Sequence, residues 1–399
     1  MNFCCGILVF SIFCAPAFAV TNVTVNCNGG AANYPNISAA VAALKVLPVS
    51  GNAVIDVTGV CLENVVIDSF AELTLNGQSG AVIGSPNSSP ALRIDHSNEI
   101  VVHGFGLRGG NPTVLARRGA GIVIDSCNVG TPSVKGPGTG IRFEQQAQGF
   151  VINTSVDNFT GAAIYALDGS TLSVQAGVPI VLSNSLIGAA ASNLSSLSVS
   201  GKITMENNAN SGLNVNTNST LFVGPCNPGD MAIRGNGSGI GSLSAHVQVA
   251  CPVVIENNRF YGVLQQFSGR VLLYSAVIRN NGDPNEPGAT VGVLVDSAEF
   301  YISQSQILNN TGGGITIVRG ARGFVFLTTV QSNSTDGIQV LQGSVVELST
   351  GNTVSGNAGV DLLCNTGANV FGSKTGIGKM TCPGFSSESG PKPSVPIIP

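Results

Sequence analysis

Hydrophobic residues alternate with polar or small residues in short runs over residues 292–362, and these runs recur at a nearly constant spacing. Alternation with a period of two predicts β-strands rather than helices. Each run opens with a glycine and a β-branched residue, and the successive openings lie 22, 23 and 22 residues apart. The four opening glycines are Gly292, Gly314, Gly337 and Gly359. A fixed period of this length predicts stacked units, each paired with the units above and below it.

The segments between the runs are rich in Asn, Ser, Thr and Gly, as in 309–312 and 332–334. These residues tolerate left-handed backbone or bond their own main chain, so they mark tight turns. When the units are aligned on their openings, the alternation predicts which side chains point into a core and which point outward. The predicted inward positions are all apolar: Leu92, Ile94, Ile122, Ile124, Ile141, Phe143, Leu213, Val215, Val293, Val295, Ile315, Ile317, Ile338 and Val340.

A short amphipathic segment at 37–44 interrupts the strand pattern near the N-terminus. Ile37, Val41 and Leu44 fall on one face of a helix there, with Pro35 as a start signal. An open solenoid end exposes apolar core and unpaired strand edges, so this helix is expected to cap it.

Three segments divide the chain. Residues 1–19 form an apolar run that ends in Ala-Phe-Ala, the pattern of a secretory signal peptide. Residues 20–382 are assigned to one solenoid, within which 20–50 form the N-terminal cap. The Pro- and Ser-rich residues 383–399 are expected to be a disordered tail.

These repeats resemble the right-handed parallel β-helix of the pectin-lyase-like superfamily, and the resemblance covers most of the chain after residue 19. It implies an all-β fold, a right-handed parallel β-helix solenoid with a short N-terminal capping helix. It implies no single function, because that fold hosts lyases, hydrolases, esterases, epimerases, adhesins and phage tailspikes.

Composition narrows the classes of function. Charged residues make up 10% of the chain, the net charge is −4, and Arg117-Arg118 is the one basic pair of note. Nucleic-acid binding therefore has no electrostatic basis. After residue 19 no segment is long and apolar enough to span a membrane. The signal sequence predicts a secreted protein, extracellular or periplasmic, whose expected partner is a polysaccharide or a cell surface.

Seven cysteines follow residue 19, and none has a metal-binding spacing. In a secreted protein, disulfides are the first interpretation. Pairing of cysteines close in the sequence predicts three disulfides, Cys27–Cys61, Cys226–Cys251 and Cys364–Cys382. Cys127 is left over and is expected to be a buried free thiol.

Acidic residues concentrate at the N-terminal end of the predicted outward face. In the alignment Asp95, Asp125 and Glu144 form a column with neighbours ~4.8 Å apart. Carboxylates at that spacing repel one another, so either a cation lies between them or one of them takes up a proton. Ca²⁺ is the cation expected, because it accepts several carboxylate oxygens in flexible geometry. All three residues are thus candidate metal ligands and candidate catalytic groups.

Basic and aromatic residues flank this column. Arg93 and Arg142 could hold a uronate carboxylate through paired hydrogen bonds. The arrangement resembles that of pectate lyases, which implies a catalytic role for Arg142. Tyr165 falls beside the column and, with Arg93, is the candidate for substrate binding.

Two functions from different classes therefore follow from the sequence. The first is a secreted β-helix protein that binds a glycan or another partner without catalysis. The alternative is a polysaccharide lyase, epimerase or hydrolase that acts on an acidic polysaccharide at the column. Sugar clefts favour aromatic side chains, and this chain has no Trp and five Tyr, which supports the non-catalytic hypothesis. A purely structural solenoid is the third possibility.

Overall fold

The computed structural model describes residues 20–46, 52–131, 133–285, 290–365 and 367–387. They form a right-handed parallel β-helix of about 13 coils, with one short helix near the N-terminus. Each full coil contributes strands to three parallel sheets, which we name A, B and C in the order in which the chain visits them. The fold class expected from the sequence is therefore confirmed.

The strands divide among the three sheets. Sheet A contains β4 (Val65–Asp68), β7 (Leu92–Asp95), β10 (Val114–Arg117), β13 (Ile141–Glu144), β16 (Ala162–Ala166), β18 (Ile187–Ala191), β20 (Ser211–Asn216), β27 (Val291–Asp296), β30 (Gly313–Val318), β33 (Ile338–Val340), β36 (Leu362–Cys364) and β38 (Met380–Thr381). Sheet B contains β1 (Thr21–Asn26), β2 (Ala53–Thr58), β5 (Leu73–Gly77), β8 (Ile100–His103), β11 (Gly121–Asp125), β14 (Gln148–Ile152), β21 (Thr220–Val223), β28 (Glu299–Ser303), β31 (Arg322–Phe326), β34 (Val345–Leu348), β37 (Asn369–Gly372) and β39 (Phe385–Ser386). Sheet C contains β3 (Val60–Leu62), β6 (Val82–Gly84), β9 (Gly106–Arg108), β12 (Asn128–Val129), β15 (Ser155–Asp157), β22 (Met231–Arg234), β24 (Val254–Glu256), β26 (Val277–Arg279), β29 (Gln306–Leu308), β32 (Thr329–Gln331) and β35 (Thr353–Ser355). Four longer strands each belong to two sheets. The corner from sheet B to sheet C is turned by β17 (Thr171–Ser183) and β19 (Ser196–Glu206). The corner from sheet A to sheet B is turned by β23 (Ser238–Val249) and β25 (Tyr261–Tyr274).

A continuous apolar core runs along the axis of the coils. Every predicted inward side chain is buried, which confirms the alternation within each strand. Burial of one Val, Leu or Ile contributes roughly 1.5–3 kcal/mol, and the same alternation leaves every second side chain on the outer surface.

An asparagine ladder occupies the turn from sheet C to sheet A in the later coils. Each of its amides is buried, and from the second member onward the Oδ1 accepts hydrogen bonds from the backbone N–H and the Nδ2 of the preceding asparagine. The ladder ends on the carboxylate of Asp361. Its members are Asn208, Asn236, Asn258, Asn281, Asn310, Asn333 and Asn357. The buried backbone groups of this turn are thereby paired.

The free thiol of Cys127 plays a similar part in the turn from sheet B to sheet C. Its Sγ accepts the backbone N–H of Phe105 at 3.4 Å, and its own N–H donates to Thr154 Oγ1 at 3.1 Å. Burial raises the pKa of the Cys127 thiol to about 11. The thiol is therefore protonated at neutral pH and acts as a small polar spacer between coils.

The predicted capping helix is present as α1 (Ile37–Val46), with Ile37, Val41 and Leu44 buried against the first coil. The carboxylate of Glu63 accepts the backbone N–H groups of Ile37 and Ser38 at 2.8 and 3.0 Å. These are donors that a helix N-terminus leaves without intrahelical partners, and a carboxylate also matches the helix dipole there.

All three predicted disulfides form, and Cys127 is the buried thiol left over. Disulfides fit an extracellular or periplasmic protein. No helix in the described ranges is long and apolar enough to cross a membrane.

Two expectations near the C-terminus need correction. Ile338 pairs with Leu362, not with Val360, because the chain makes a longer turn around Gly359 before β36 begins. The solenoid also continues past residue 382, since β39 pairs with β37 and Phe385 packs against the core. The predicted signal peptide, residues 47–50 of the predicted cap and residues 388–399 of the predicted tail lie outside the described residues.

Candidate functional site

The acidic column expected from the sequence does not form. On sheet A the register places Arg117 between Asp95 and Glu144. Asp125 ends β11 on sheet B, where its strand neighbour is His103. The reason is that β10 lacks an opening glycine, so an alignment on opening glycines omits β10 and assigns the run beginning at Gly121 to sheet A instead of sheet B.

Three arginines surround Asp95, whose side chain is only 4% exposed. Arg117 donates to both carboxylate oxygens, at 2.7 Å from Nε and 3.2 Å from Nη2. Arg93 Nε lies 3.2 Å and Arg118 Nη1 4.0 Å from Oδ2. The hydrogen bond to Asp95 raises the pKa of Arg117. Asp95 is thus a buried anchor for guanidinium groups.

One strand further along, Arg142 Nη2 lies 2.7 Å from Glu144 Oε2 on β13. Arg142 is the register partner of Tyr165 on β16. The Tyr165 hydroxyl donates to Ser192 Oγ at 3.1 Å. The outward order on sheet A is Arg93, Leu115, Arg142 and Tyr165 on consecutive strands.

Further cations lie at the N-terminal edge of the same sheet. Asp68, the register partner of Asp95, is 3.1 Å from His96 Nδ1 and 3.7 Å from Lys45 Nζ. The hydrogen bond from His96 lowers the pKa of Asp68.

We call Arg93, Asp95, Arg117, Arg118, Arg142 and Glu144 the arginine cluster; it holds four guanidinium groups and two carboxylates.

Sheet B carries a separate pair. His103 Nδ1 lies 2.8 Å from Asp125 Oδ2, and the imidazole is about half exposed at 45%. An imidazole oriented by a carboxylate is the arrangement of a general base. On sheet B the same outward row of side chains continues with Asn76, whose amide donates to Asp56 Oδ1 at 2.7 Å.

The predicted Ca²⁺ ligands do not converge. Asp95 and Glu144 face arginines, and Asp125 is on another sheet. In the described ranges the one tight set of three metal-type ligands is Cys27, Cys61 and Glu63. The two sulfurs of that set are joined in a disulfide, and the carboxylate caps α1. These residues do not fit a calcium ion, which needs several free oxygen ligands.

A cleft of about 710 Å³ on sheet C, beside the same early coils, was not predicted from the sequence. Its floor is made by glycines and small apolar residues, and its polar lining comes from sheet C strands. We call it the sheet C cleft and define it by Gly106, Arg108, Asn128, Gly130, Ser155 and Asp157. The sequence feature that indicates the cleft is the set of glycines at strand positions. Because glycine has no side chain, these positions form no recognisable chemical motif.

Fold and site together define a disulfide-bonded right-handed parallel β-helix with charged and concave features gathered on its early coils. Among solved structures, the chain is similar to the A-module of a mannuronan C-5 epimerase of Azotobacter vinelandii, with 11% identity, a TM-score of 0.43, and coverage of 92% of this chain and 100% of that one. A second mannuronan C-5 epimerase A-module of that organism gives 12% identity, a TM-score of 0.31, and coverage of 88% and 92%. The tailspike of an Acinetobacter phage gives 10% identity, a TM-score of 0.39, and coverage of 94% and 66%.

No protein-family model matches the chain, and no curated protein does. With identities and TM-scores this low, the solved structures carry no argument about activity. What this protein does must therefore be inferred from its own residues.

Proposed function

We propose that this protein is a secreted β-helix that binds an acidic polysaccharide on sheet A without catalysis. The observation that carries the proposal is the surplus of cations around Asp95, where three guanidinium groups share one buried carboxylate. Arg117 takes both oxygens of that carboxylate, so Arg93 and Arg118 keep donors for a ligand. Guanidinium groups are well suited to carboxylate ligands because their donors match both oxygens.

The spacing of these groups suits an extended chain. Arg93 and Arg142 lie two strands apart on one outward column, a separation of ~9.6 Å between backbones. Their side chains are 38% and 35% exposed, so a ligand can reach both. Tyr165 follows on the next strand with an amphipathic ring. A polymer with carboxylates at intervals would contact successive strands along the axis of the coils.

The same geometry argues against acid–base chemistry on sheet A. Glycoside hydrolysis needs two carboxyl groups facing one bond, one of them able to give up a proton. Here each carboxylate is held by arginines, and Arg117 lies between Asp95 and Glu144. Both carboxylates are therefore engaged in ion pairs, and neither is free to face a glycosidic bond.

One observation favours the alternative function. The His103–Asp125 pair on sheet B has the geometry of a general base, which a lyase or epimerase needs to remove a proton beside a uronate carboxylate. Catalysis would then occur on sheet B and not at the column expected from the sequence.

Affinity electrophoresis tests the binding proposal. The purified protein is run through gels containing polygalacturonate, alginate or a neutral dextran. We expect retardation by an acidic polymer only, weakened by salt. Arg93→Gln/Arg142→Gln should weaken binding at least about tenfold, the loss of about 1.4 kcal/mol of charge-assisted contact.

The matched control is Arg234→Gln, which removes an arginine of a sheet C ion pair. Retardation of the double variant equal to that of the wild type would refute the proposal, as would no retardation by either acidic polymer. Catalysis is tested separately by the ultraviolet absorbance of unsaturated uronates and by NMR of epimerised products. Turnover that His103→Ala abolishes, with polymer retention intact, would establish the alternative.

A further inference from the structure

The outer column of sheet C changes character along the molecule. In the later coils acidic and basic residues alternate on successive strands and pair directly. Glu206 and Arg234 are 2.9 Å apart, and Glu256 and Arg279 are 2.8 Å apart. Each charge there is satisfied by its neighbour, which leaves little for a ligand.

In the early coils the same column keeps its charges apart. Gly130, directly after β12, occupies the position between Arg108 of β9 and Asp157 of β15. Two strand spacings put the backbones of the two charged residues ~9.6 Å apart. The side chain of Arg108 is exposed and forms no hydrogen bond or ion pair with any described residue. A cation and an anion that could have paired are therefore separated by a residue with no side chain.

The glycine at this position is required by the backbone. Its φ is +101°, and a Cβ there would lie 2.1 Å from the carbonyl oxygen of Asp157. Gly106, on the preceding strand, likewise leaves the floor open. The result is a concave space of about 710 Å³, within the range of roughly 300–1,000 Å³ common for small-molecule sites.

The lining between the two charges is made of hydrogen-bonding groups. Asn128 and Ser155 are register partners that face outward into the cleft. Asp157 Oδ1 accepts hydrogen bonds from Ser183 Oγ at 2.7 Å and Asn184 Nδ2 at 2.8 Å. These bonds fix the Asp157 carboxylate while its Oδ2 accepts no hydrogen bond from the described residues.

We propose that the sheet C cleft binds a short oligosaccharide that carries a carboxylate, of about two sugar units. The carboxylate of the ligand pairs with Arg108, its hydroxyl groups donate to Asp157 Oδ2, and Asn128 and Ser155 bond the hydroxyls between. The glycine floor lets a ring approach the backbone. This assignment does not rest on the sheet A proposal, because it uses other residues on another sheet.

Isothermal titration calorimetry of the full chain tests it, with digalacturonate as the probe and a neutral galactose disaccharide as the comparison. We expect binding of digalacturonate, weakened at least about tenfold by Arg108→Gln, the loss of one charge-assisted contact. Asn128→Trp, which fills the cleft from an exposed position, should abolish binding. Arg234→Gln, on the same column but inside an ion pair, should leave it unchanged.

Arg93→Gln/Arg142→Gln should also leave disaccharide binding unchanged, so the two proposals can fail separately. Absence of digalacturonate binding, equal binding by Arg108→Gln, or equal affinity for the neutral disaccharide would overturn the inference. Preferential binding of a zwitterionic dipeptide, which would also match one cation and one anion, would overturn the assignment to a sugar.

Discussion

The early coils, residues 65–166, and the later coils, residues 208–361, have the same three sheets but differ in the turn from sheet C to sheet A. In the later coils the turn from sheet C to sheet A is built on the asparagine ladder. In the early coils the same turn varies in length and composition, as in 85–91, 109–113 and 130–140. The arginine cluster, the His103–Asp125 pair and the sheet C cleft all lie in the early coils.

This comparison indicates which coils can accommodate a ligand site. In the coils that carry the asparagine ladder, the outer charges of sheet C fall into pairs. Where the ladder is absent, turns differ from coil to coil. There the side chain of Arg108, next to Gly130 in the sheet C cleft, has no partner among the described residues. We therefore expect stability to depend chiefly on the later coils, and both proposed binding sites lie on the early ones.

The largest effect is expected from breaking the ladder. Asn258→Leu removes the acceptor of the Asn236 N–H and Nδ2 groups and the donor to the Ile233 carbonyl. Each buried group left unpaired costs about 1–3 kcal/mol, so we expect a loss of about 3–5 kcal/mol in the free energy of unfolding, measured by urea denaturation.

The matched control is Asn128→Leu, at an exposed asparagine of the early coils. We expect its stability to stay within about 0.5 kcal/mol of the wild type. Similar losses in both variants would show that the two regions do not differ as described.

A smaller effect is expected from Asp296, the later coils' counterpart of Asp95. Its buried carboxylate accepts hydrogen bonds from Arg319 alone among the described arginines, and that bond lowers the pKa of Asp296. A folded pKa below the unfolded value of about 3.9 stabilises the fold above that pH, and the contribution is lost as the pH falls toward the folded pKa. Arg319→Met should therefore lower the free energy of unfolding at neutral pH, by less than Asn258→Leu does, because Arg319 is 57% exposed and water screens the pair.

The difference between the wild type and Arg319→Met should shrink as the pH falls below about 4. Urea midpoints across this range measure it, with Arg322→Met, an exposed arginine on β31, as the control. A pH-independent difference would mean that the ion pair is not its source.

The smallest of the three effects is expected at Cys127, in a turn of the early coils. Cys127→Val removes the acceptor of the buried Phe105 N–H, and we expect a loss of about 1–2 kcal/mol. Cys127→Ser keeps an acceptor and should cost less. Because the pKa of the thiol is about 11, a thiol reagent should modify native protein only on unfolding. Rapid labelling without denaturant would contradict this description of the turn.

The strands could be predicted because alternation and turn residues are local properties. The site could not, because it depends on which sheet each strand joins. The run at β10 has no opening glycine, and its omission moved Asp125 onto the wrong sheet beside Asp95. Asn310 and Asn333 lie in predicted turns, but their stacking depends on contacts between residues 23 positions apart. The sheet C cleft depends on glycines, whose lack of a side chain leaves no chemical motif in the sequence.

The asparagine ladder also makes the number of coils adjustable. Asn310 and Asn333 bond each other across a separation of 23 residues, and Asn333 bonds Asn357 in the same way. Removing residues 311–333 would bring Asn310 onto Asn357 and close the ladder again with one coil fewer. Gain or loss of whole coils by gene duplication and deletion can therefore lengthen or shorten this molecule while its cap, its cleft and its final disulfide stay as they are.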